Sequence, residues 1–371
     1  MIVKDGWKNF VDEVRITGKP IVCFGVGAIA TFLEGLFIDC GIWEKITFFL
    51  DNNPQKEGKT VGVSRKIPVI TVNTFREKKI SDFIFLIAIE SYVTVEQQFS
   101  QYTEWRNISS YAYIKLNREI QQNIKQPYDL LQKEGSKIPK VIHYCWFGKS
   151  PKTKLHQLCL NSWEKYCPEY QIIEWNEDNY DVTKNLYMKQ AYEAGKWAYV
   201  SDYARIDIIY HHGGIYLDTD VELIKSLDSL LGLEAFIAHG QWSAVNSGAG
   251  LGAAKGNHIL KEILEDERNY IPFAQDDGML NMTQNGFYET SVLQRHGFKK
   301  YFLMQEVDGM LILAPEIMAT ASLLGKNVFV TDRTISIHHC EGSWASRKIL
   351  DERKETIIHQ QEAYDCGIYS T

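Results

Sequence analysis

The chain reads as an α/β protein made of two α/β domains, and three observations predict it. Between 141 and 223, stretches of strand character (141–146, 170–175, 215–223) alternate with stretches of helical length (154–166, 186–194, 198–210). That alternation builds a mixed sheet with helices on its faces. An independent unit of strand, glycine turn, helix and strand opens the chain between 21 and 51, the start of a parallel sheet. A polar stretch from Asn117 to Lys137, broken by Pro127 and Gly135-Ser136, separates the two. The length of 371 residues accommodates two domains of about 150 residues each. The expected division is 1–117, a helical or polar linker over 118–137, and 138–371.

In the first domain, Ile21-Val22-Cys23-Phe24 is a continuous apolar run, as strands buried on both faces are. Gly25-Val26-Gly27-Ala28-Ile29-Ala30 follows, then an apolar helix to about Cys40. A second strand over 46–50 ends at Asp51, with Asn52-Asn53-Pro54 as turn chemistry. Residues 83–89 form a third buried strand. A strand, a Gly-x-Gly turn with Ala30 in the third small position, a helix, and a strand ending in an acid make the dinucleotide-binding pattern. Residues 18–115 thus resemble the small Rossmann-like domains found beside sugar-modifying enzymes. Two readings follow. Gly25, Gly27 and Asp51 hold the pyrophosphate and ribose of a nucleotide at a second site, or the glycines only permit tight strand–helix packing. The second fits better, because no hydride-transfer residues can be named in the rest of the chain.

Composition narrows the classes. A hydrophobic content of 45% with 12% aromatics builds a core and excludes a disordered chain. A net charge of −7 argues against a nucleic-acid partner and against attraction to an anionic membrane surface. The seven cysteines (23, 40, 145, 159, 167, 340, 366) are odd in number and form no C-x-x-C pair, so they read as reduced core residues. Met1-Ile2-Val3-Lys4-Asp5-Gly6 lacks the apolar centre of a signal peptide, and the longest apolar run, 21–33, is too short to span a bilayer. The expected location is cytoplasmic, with peripheral attachment at the inner face of the plasma membrane left open.

In the second domain the most informative stretch is Gly213-Gly214-Ile215-Tyr216-Leu217-Asp218-Thr219-Asp220-Val221-Glu222. Read as one strand, it projects Asp218 and Asp220 from the same face. Two adjacent carboxylates repel unless a cation sits between them, and hard oxygen ligands suit Mg²⁺ or Mn²⁺. The preceding helix is apolar on nearly every side, hence buried, with the glycine pair as its stop. Asp202 and Arg205, three apart, share a face of it. Either they form an internal ion pair, or both reach into a polar pocket beside the two aspartates. His143 alternates inside a strand as a satisfied core residue, and His211 and His212 complement the helix dipole.

Ser201-Asp202-Tyr203-Ala204-Arg205 followed by Tyr210-His211-His212-Gly213-Gly214-Ile215-Tyr216-Leu217-Asp218-Thr219-Asp220 resembles glycosyltransferase family 32, the group with a DXD-containing sugar-binding region that includes bacterial capsule and exopolysaccharide enzymes. Further likeness lies in Ile138-Pro139-Lys140-Val141-Ile142-His143-Tyr144-Cys145-Trp146-Phe147-Gly148, in Ser162-Trp163 to Cys167-Pro168, in Ile172-Ile173-Glu174-Trp175-Asn176 and in His338-His339-Cys340-Glu341-Gly342-Ser343-Trp344. The resemblance implies the GT-A nucleotide-sugar fold and a metal-dependent, retaining transfer of a hexose from a nucleotide-diphosphate sugar, UDP favoured. It implies Asp220 as direct ligand of Mn²⁺ or Mg²⁺, with Asp218 sharing the metal or touching the ribose. A C-terminal histidine completes the shell, and spacing before Gly342 selects His339 over His338; a nitrogen ligand tilts the metal toward Mn²⁺.

By the same resemblance, Trp146 stacks on the nucleobase, unless it is simply core, while Asp202 and Arg205 contact donor hydroxyls and phosphates. Gly214, Tyr216 and Asn246 (in the glycine-rich stretch 242–252) line the donor, and Ser343 and Trp344 close over the pyrophosphate. No carboxylate nucleophile can be named, so the front-face route to retention fits best. Ala274-Gln275-Asp276-Asp277-Gly278 departs from the family's Ala-Gly-Pro-like turn and leaves the acceptor side open. The expected acceptor is a capsular, exopolysaccharide or lipid-linked glycan. The alternatives are a toxin-like transferase acting on protein, an oxidoreductase or epimerase run by the N-terminal glycine loop, and a non-catalytic binding module.

Overall fold

The computed structural model describes residues 1–342 apart from 63, 90, 124, 241–243, 266–271, 276–277, 284, 300–301 and 321–329. The described residues form two compact units, 1–123 and 125–342. The expected linker 118–137 begins as helix and continues through a short 3-10 turn, Tyr128–Leu131.

The first unit runs β1 (Ile2–Val3), α1 (Trp7–Thr17), β2 (Ile21–Phe24), α2 (Ala28–Asp39), β3 (Ile46–Asp51), β4 (Thr60–Val61), β5 (Ile67–Thr71), α3 (Val72–Glu77), β6 (Ile84–Ile87), α4 (Tyr92–Ser100), β7 (Ser109–Ala112) and α5 (Tyr113–Asn123). Its sheet has the order β1-β7-β6-β2-β3-β5-β4, parallel except for β4. The chain reverses its direction of travel beside β2, the doubly wound arrangement. All four residues of β2 and of β6 are buried, which is why their sequences are continuous apolar runs. β5 and β7 escaped the sequence reading because Pro68 argues against a strand and Ser109-Ser110 carry no apolar signal. Gly25 sits at φ 104°, and a Cβ there would lie 2.2 Å from Ile89 Cγ2 and 2.9 Å from the Ala88 carbonyl oxygen. The Asp51 carboxylate, at the end of β3, accepts from the amides of Asn53 (2.9 Å) and Val26 (3.4 Å) and pairs with Lys56 at 2.8 Å. Glycine loop and acid therefore meet, with the acid already engaged by protein groups.

The second unit runs β8 (Val141–Cys145), α6 (Lys154–Tyr166), β9 (Gln171–Trp175), α7 (Leu186–Glu193), α8 (Trp197–His212), β10 (Gly214–Tyr216), β11 (Val221–Leu223), β12 (Ala235–Ile237), β13 (Leu251–Ala253), α9 (His258–Glu265), α10 (Asn285–Arg295), β14 (Gln305–Val307), β15 (Met310–Ile312), β16 (Met318–Thr320) and β17 (Ser336–His338). The main sheet has the order β14-β15-β12-β13-β10-β8-β9 and is mixed, with β9, β8 and β10 parallel and β13 antiparallel to both β10 and β12. One core on its faces gathers Val200, Ala204, Ile206 and Ile209 of α8 with α7, α9 and α10. The other gathers Trp163 of α6 with Leu217, Val221 and Leu223. The mixed α/β class predicted from the alternation is the class observed.

One element differs from the expectation. Residues 215–223 are two short strands in two sheets, because β11 leaves the main sheet and pairs with β17 in the three-stranded sheet β11-β17-β16. Asp218–Asp220 lies between them as a turn closed by the Val221 amide donating to the Asp218 carbonyl at 3.0 Å. Aspartates compete for backbone groups and favour turns over strand interiors, and that preference outweighs the apolar flanks.

Candidate functional site

The turn after β10 brings the two carboxylates together in place of strand alternation. The Asp218 amide donates to the Gly248 carbonyl (2.9 Å), while its Oδ1 accepts from the Tyr216 hydroxyl (3.0 Å) and from Arg205 Nη2 (3.1 Å). Asp220 Oδ1 lies 3.1 Å from His338 Nε2, and its Oδ2 accepts from the Glu341 amide at 2.8 Å. His338 reaches it because β17 runs antiparallel to β11 with His338 opposite Val221. Asp218, Asp220 and His338 each offer a ligand atom within 4.8 Å of one another, and among the described residues they are the group that could hold a metal ion. Two hard oxygens and one borderline nitrogen suit Mn²⁺ better than Mg²⁺.

The structure thus puts His338, and not the expected His339, beside the aspartates. Successive residues along a strand point to opposite sides, and His339 Nε2 instead lies 2.9 Å from Glu222 Oε2. Burial raises the Asp220 pKa, but His338 overrides it and holds this carboxyl well below the usual range. Burial alone would discharge His338, yet Cys340 and Asp220 lift its pKa well above the ordinary histidine value.

Arg205, only 5% exposed, anchors the other side. Its Nη2 is 3.1 Å from both Asp202 Oδ1 and Asp218 Oδ1, and its Nη1 is 3.5 Å from Ser247 Oγ. Of the two sequence readings of the Asp202–Arg205 pair, the ion pair is present, and the same Arg205 Nη2 also contacts Asp218 of the turn. Burial works against the charge, but Asp218, Tyr216, Asp202 and Glu289 keep the guanidinium protonated. Its Nε is buried and finds no acceptor among the described residues. Gly248 presses on the same turn, since a Cβ there would lie 2.1 Å from Asp218 Oδ2.

Behind Arg205 stand Ser247, from the stretch 242–252 already read as lining the donor, and two residues the sequence reading did not find, Asn285 and Glu289. Ser247 Oγ accepts from Asn285 Nδ2 at 2.9 Å, Asn285 Nδ2 also donates to Glu289, and the Ser247 amide points at Glu289 Oε2 at 3.4 Å. Asn285 and Glu289 gave no signal in the sequence, because α10 lies some forty residues beyond the Asn246-Ser247-Gly248-Ala249-Gly250 run. Asn246 Oδ1 accepts from the Gly248 and Ala249 amides (3.0 and 3.3 Å), and its Nδ2 is 3.4 Å from His338 Nδ1.

Trp146, half-buried just past β8, donates its indole N–H to the Ser150 carbonyl at 2.8 Å and meets His156 edge-on at 4.7 Å. His156 Nε2 is 2.8 Å from Glu341 Oε2, which links this corner to Asp220 through the Glu341 amide. Tyr216 is buried under Arg205, whose guanidinium carbon stands 5.1 Å from its ring. Gly214 is not brought to the site. It opens β10 at the end away from the aspartates, where a Cβ would meet the Val141 carbonyl oxygen at 2.8 Å and His143 Nε2 at 2.9 Å. Ser343 and Trp344, like Trp242, Asp276 and Asp277, lie outside the described residues. His143 is a satisfied core residue: its Nδ1 accepts from Trp175 Nε1 at 3.0 Å and its Nε2 faces the Gly213 carbonyl at 3.0 Å. His211 Nδ1 lies 2.9 Å from the Asp207 carbonyl oxygen, in the last turn of α8.

Residues 153–237 match the family model of the glycosyltransferase sugar-binding region containing the DXD motif, and residues 1–110 match that of a C-methyltransferase C-terminal domain. Among curated proteins, inositol phosphoceramide mannosyltransferase 3 of Schizosaccharomyces pombe is 26% identical, over 40% of this chain and 41% of its own length. Inositol phosphoceramide mannosyltransferase 1 of the same yeast is 30% identical, over 28% and 34%. The chain thus spans less than half the length of these relatives. A solved structure, the PaToxG glycosyltransferase, aligns over 48% of this chain and 74% of its own at a TM-score of 0.36 and 18% identity. No helix among the described residues is long and apolar enough to cross a membrane.

Proposed function

We infer, from a chain whose residues 153–237 match the family model of the glycosyltransferase sugar-binding region containing the DXD motif, that this protein transfers a hexose from a nucleotide-diphosphate sugar to a glycan or lipid-linked acceptor, with the aspartate turn as its donor site. The observation that carries the reading is the convergence of Asp218, Asp220 and His338 within 4.8 Å of one another, next to buried Arg205. A divalent cation bound there, Mn²⁺ by its donor set, would take up charge on the departing diphosphate as a Lewis acid. The chain's own groups do the rest. Neutral His338 would offer that cation a ring nitrogen, and Asp220 and Asp218 would offer it oxygens. Arg205 directs its fork at phosphate oxygens, and Asp202 accepts from donor hydroxyls. Trp146 offers an aromatic face on which the base stacks, steadied by the edge-on contact with His156. A site of cation, arginine and hydrogen bonds suits the front-face route to retention, in which the leaving phosphate takes the acceptor's proton.

UDP is the expected carrier from the family resemblance, but similarity to two mannosyltransferases favours mannose as a second reading of the sugar. A thermal-shift screen of UDP- and GDP-sugars with and without Mn²⁺ tests both. Ligands that bind only the folded chain raise its apparent stability by mass action. The expected shift needs metal and vanishes in Asp220→Ala. A shift produced by nicotinamide cofactors and untouched by that substitution would overturn the reading.

A further inference from the structure

Glu289 is a carboxylate with no exposed surface, one helical turn into α10. An acid that deep is costly unless hydrogen-bonded and matched by a cation. It accepts from Asn285 Nδ2 and lies 3.4 Å from the Ser247 amide, and the cation whose charge it supports is Arg205. The connection is material, since Ser247 Oγ stands between Asn285 Nδ2 at 2.9 Å and Arg205 Nη1 at 3.5 Å. Arg205 therefore answers to three acids: Asp202 and Asp218 in contact at Nη2, and Glu289 behind Nη1. The first two are the groups a divalent cation and a donor would engage. Glu289 cannot turn away, because its helix and Asn285 fix it inside the protein.

We propose that Glu289 is a positioning residue for the donor diphosphate: acting through Asn285 and Ser247, it keeps Arg205 seated when Asp218 turns to a divalent cation. The inference rests on the donor reading above. It separates two functions that the aspartate turn otherwise joins. The cation is held by Asp218, Asp220 and His338 without Glu289, while the diphosphate depends on Arg205 and so on the buried acid.

The test uses the full chain and two variants, Glu289→Gln, which keeps size and removes charge, and Ser247→Ala, which cuts the connection and leaves the acid in place. Mn²⁺ affinity is read by electron paramagnetic resonance. Binding of UDP and of inorganic pyrophosphate at saturating Mn²⁺ is read by calorimetry. The expected result is Mn²⁺ affinity within about twofold of wild type and diphosphate affinity about tenfold weaker in both variants, the size of a lost hydrogen bond to a charged group. Variants that take both diphosphates as wild type does overturn the proposal, as do variants that lose Mn²⁺ and diphosphate in equal proportion. If Glu289→Gln does not fold, Ser247→Ala decides alone. A wild-type chain that takes neither diphosphate at any Mn²⁺ concentration overturns the donor reading itself, whereas wild-type binding with unaffected variants overturns only the role of Glu289.

Discussion

His338 and His339 are neighbours in sequence with the same side chain and different partners, Asp220 for one and Glu222 for the other. His338→Ala is therefore expected to weaken Mn²⁺ binding about tenfold or more, the cost of disturbing a metal shell, and His339→Ala to change it much less. Titration of the bound ion by electron paramagnetic resonance decides, and the reverse order would return the ligand role to His339. A second residue gives a pH dependence. Burial pushes the His143 pKa down to about 4 from an ordinary value of 6.5. Between those values the unfolded chain binds a proton that the folded chain refuses. Stability from this site is thus complete above 6.5 and falls as pH drops toward 4, by something on the order of 3 kcal/mol. In denaturant titrations from pH 4 to 7, His143→Gln should show a shallower pH slope than wild type; identical slopes would remove His143 from the account. The alternation of its strand already marked His143 as a satisfied core residue, and both its ring nitrogens have partners. Which of His338 and His339 faces Asp220 was not visible, because it depends on the pairing of β17 with the distant β11.

The loop and strand from Ser247 to Ala253 show how one element serves two ends. Gly248 abuts Asp218 Oδ2, whereas Gly252, in β13 opposite Phe236 of β12, lies beneath that ring, where a Cβ would be 2.3 Å from Cε1. Gly248→Ala should displace the Asp218 carboxylate and abolish most Mn²⁺ binding with little loss of stability. Gly252→Ala should do the opposite, costing about 1–3 kcal/mol by overpacking while sparing the site. Calorimetry paired with Mn²⁺ titration distinguishes them, and a swap of the two phenotypes would contradict the packing described. At this scale α6, β9, α7 and α8 were legible to within two residues, since each carries its own periodicity and capping: Thr153 caps α6, and Gly213 stops α8 by donating to the Ile209 carbonyl at 2.8 Å. The Asp218–Asp220 turn was not legible. A run of alternating residues reads as one strand until β17 arrives to claim its second half.

Across the whole molecule, the site lies within the second unit, and the first unit's glycine turn meets Asp51, which pairs with Lys56. Mn²⁺ with UDP at a hundredfold over its dissociation constant should therefore stabilise the second unit by about 2.7 kcal/mol. Gly25→Val, which forces a side chain against Ile89, should lower the stability of the first unit and leave that increment intact. Differential scanning calorimetry with and without ligand measures both; loss of the increment in Gly25→Val would tie donor binding to the first unit.

By itself the sequence determined the α/β class, the buried parallel strands, the buried helix carrying Asp202 and Arg205, and the pair of acids that calls for a cation. These are properties of local pattern, where spacing and residue type suffice. Only the tertiary structure decided that the acids sit on a turn, that His338 joins them, that Gly214 stays with the strand packing, and that Glu289 stands behind Arg205. Each of those depends on which distant segments pair and pack, and the acids that raise the pKa values of His338 and Arg205 against burial reach them only once the chain has closed around them.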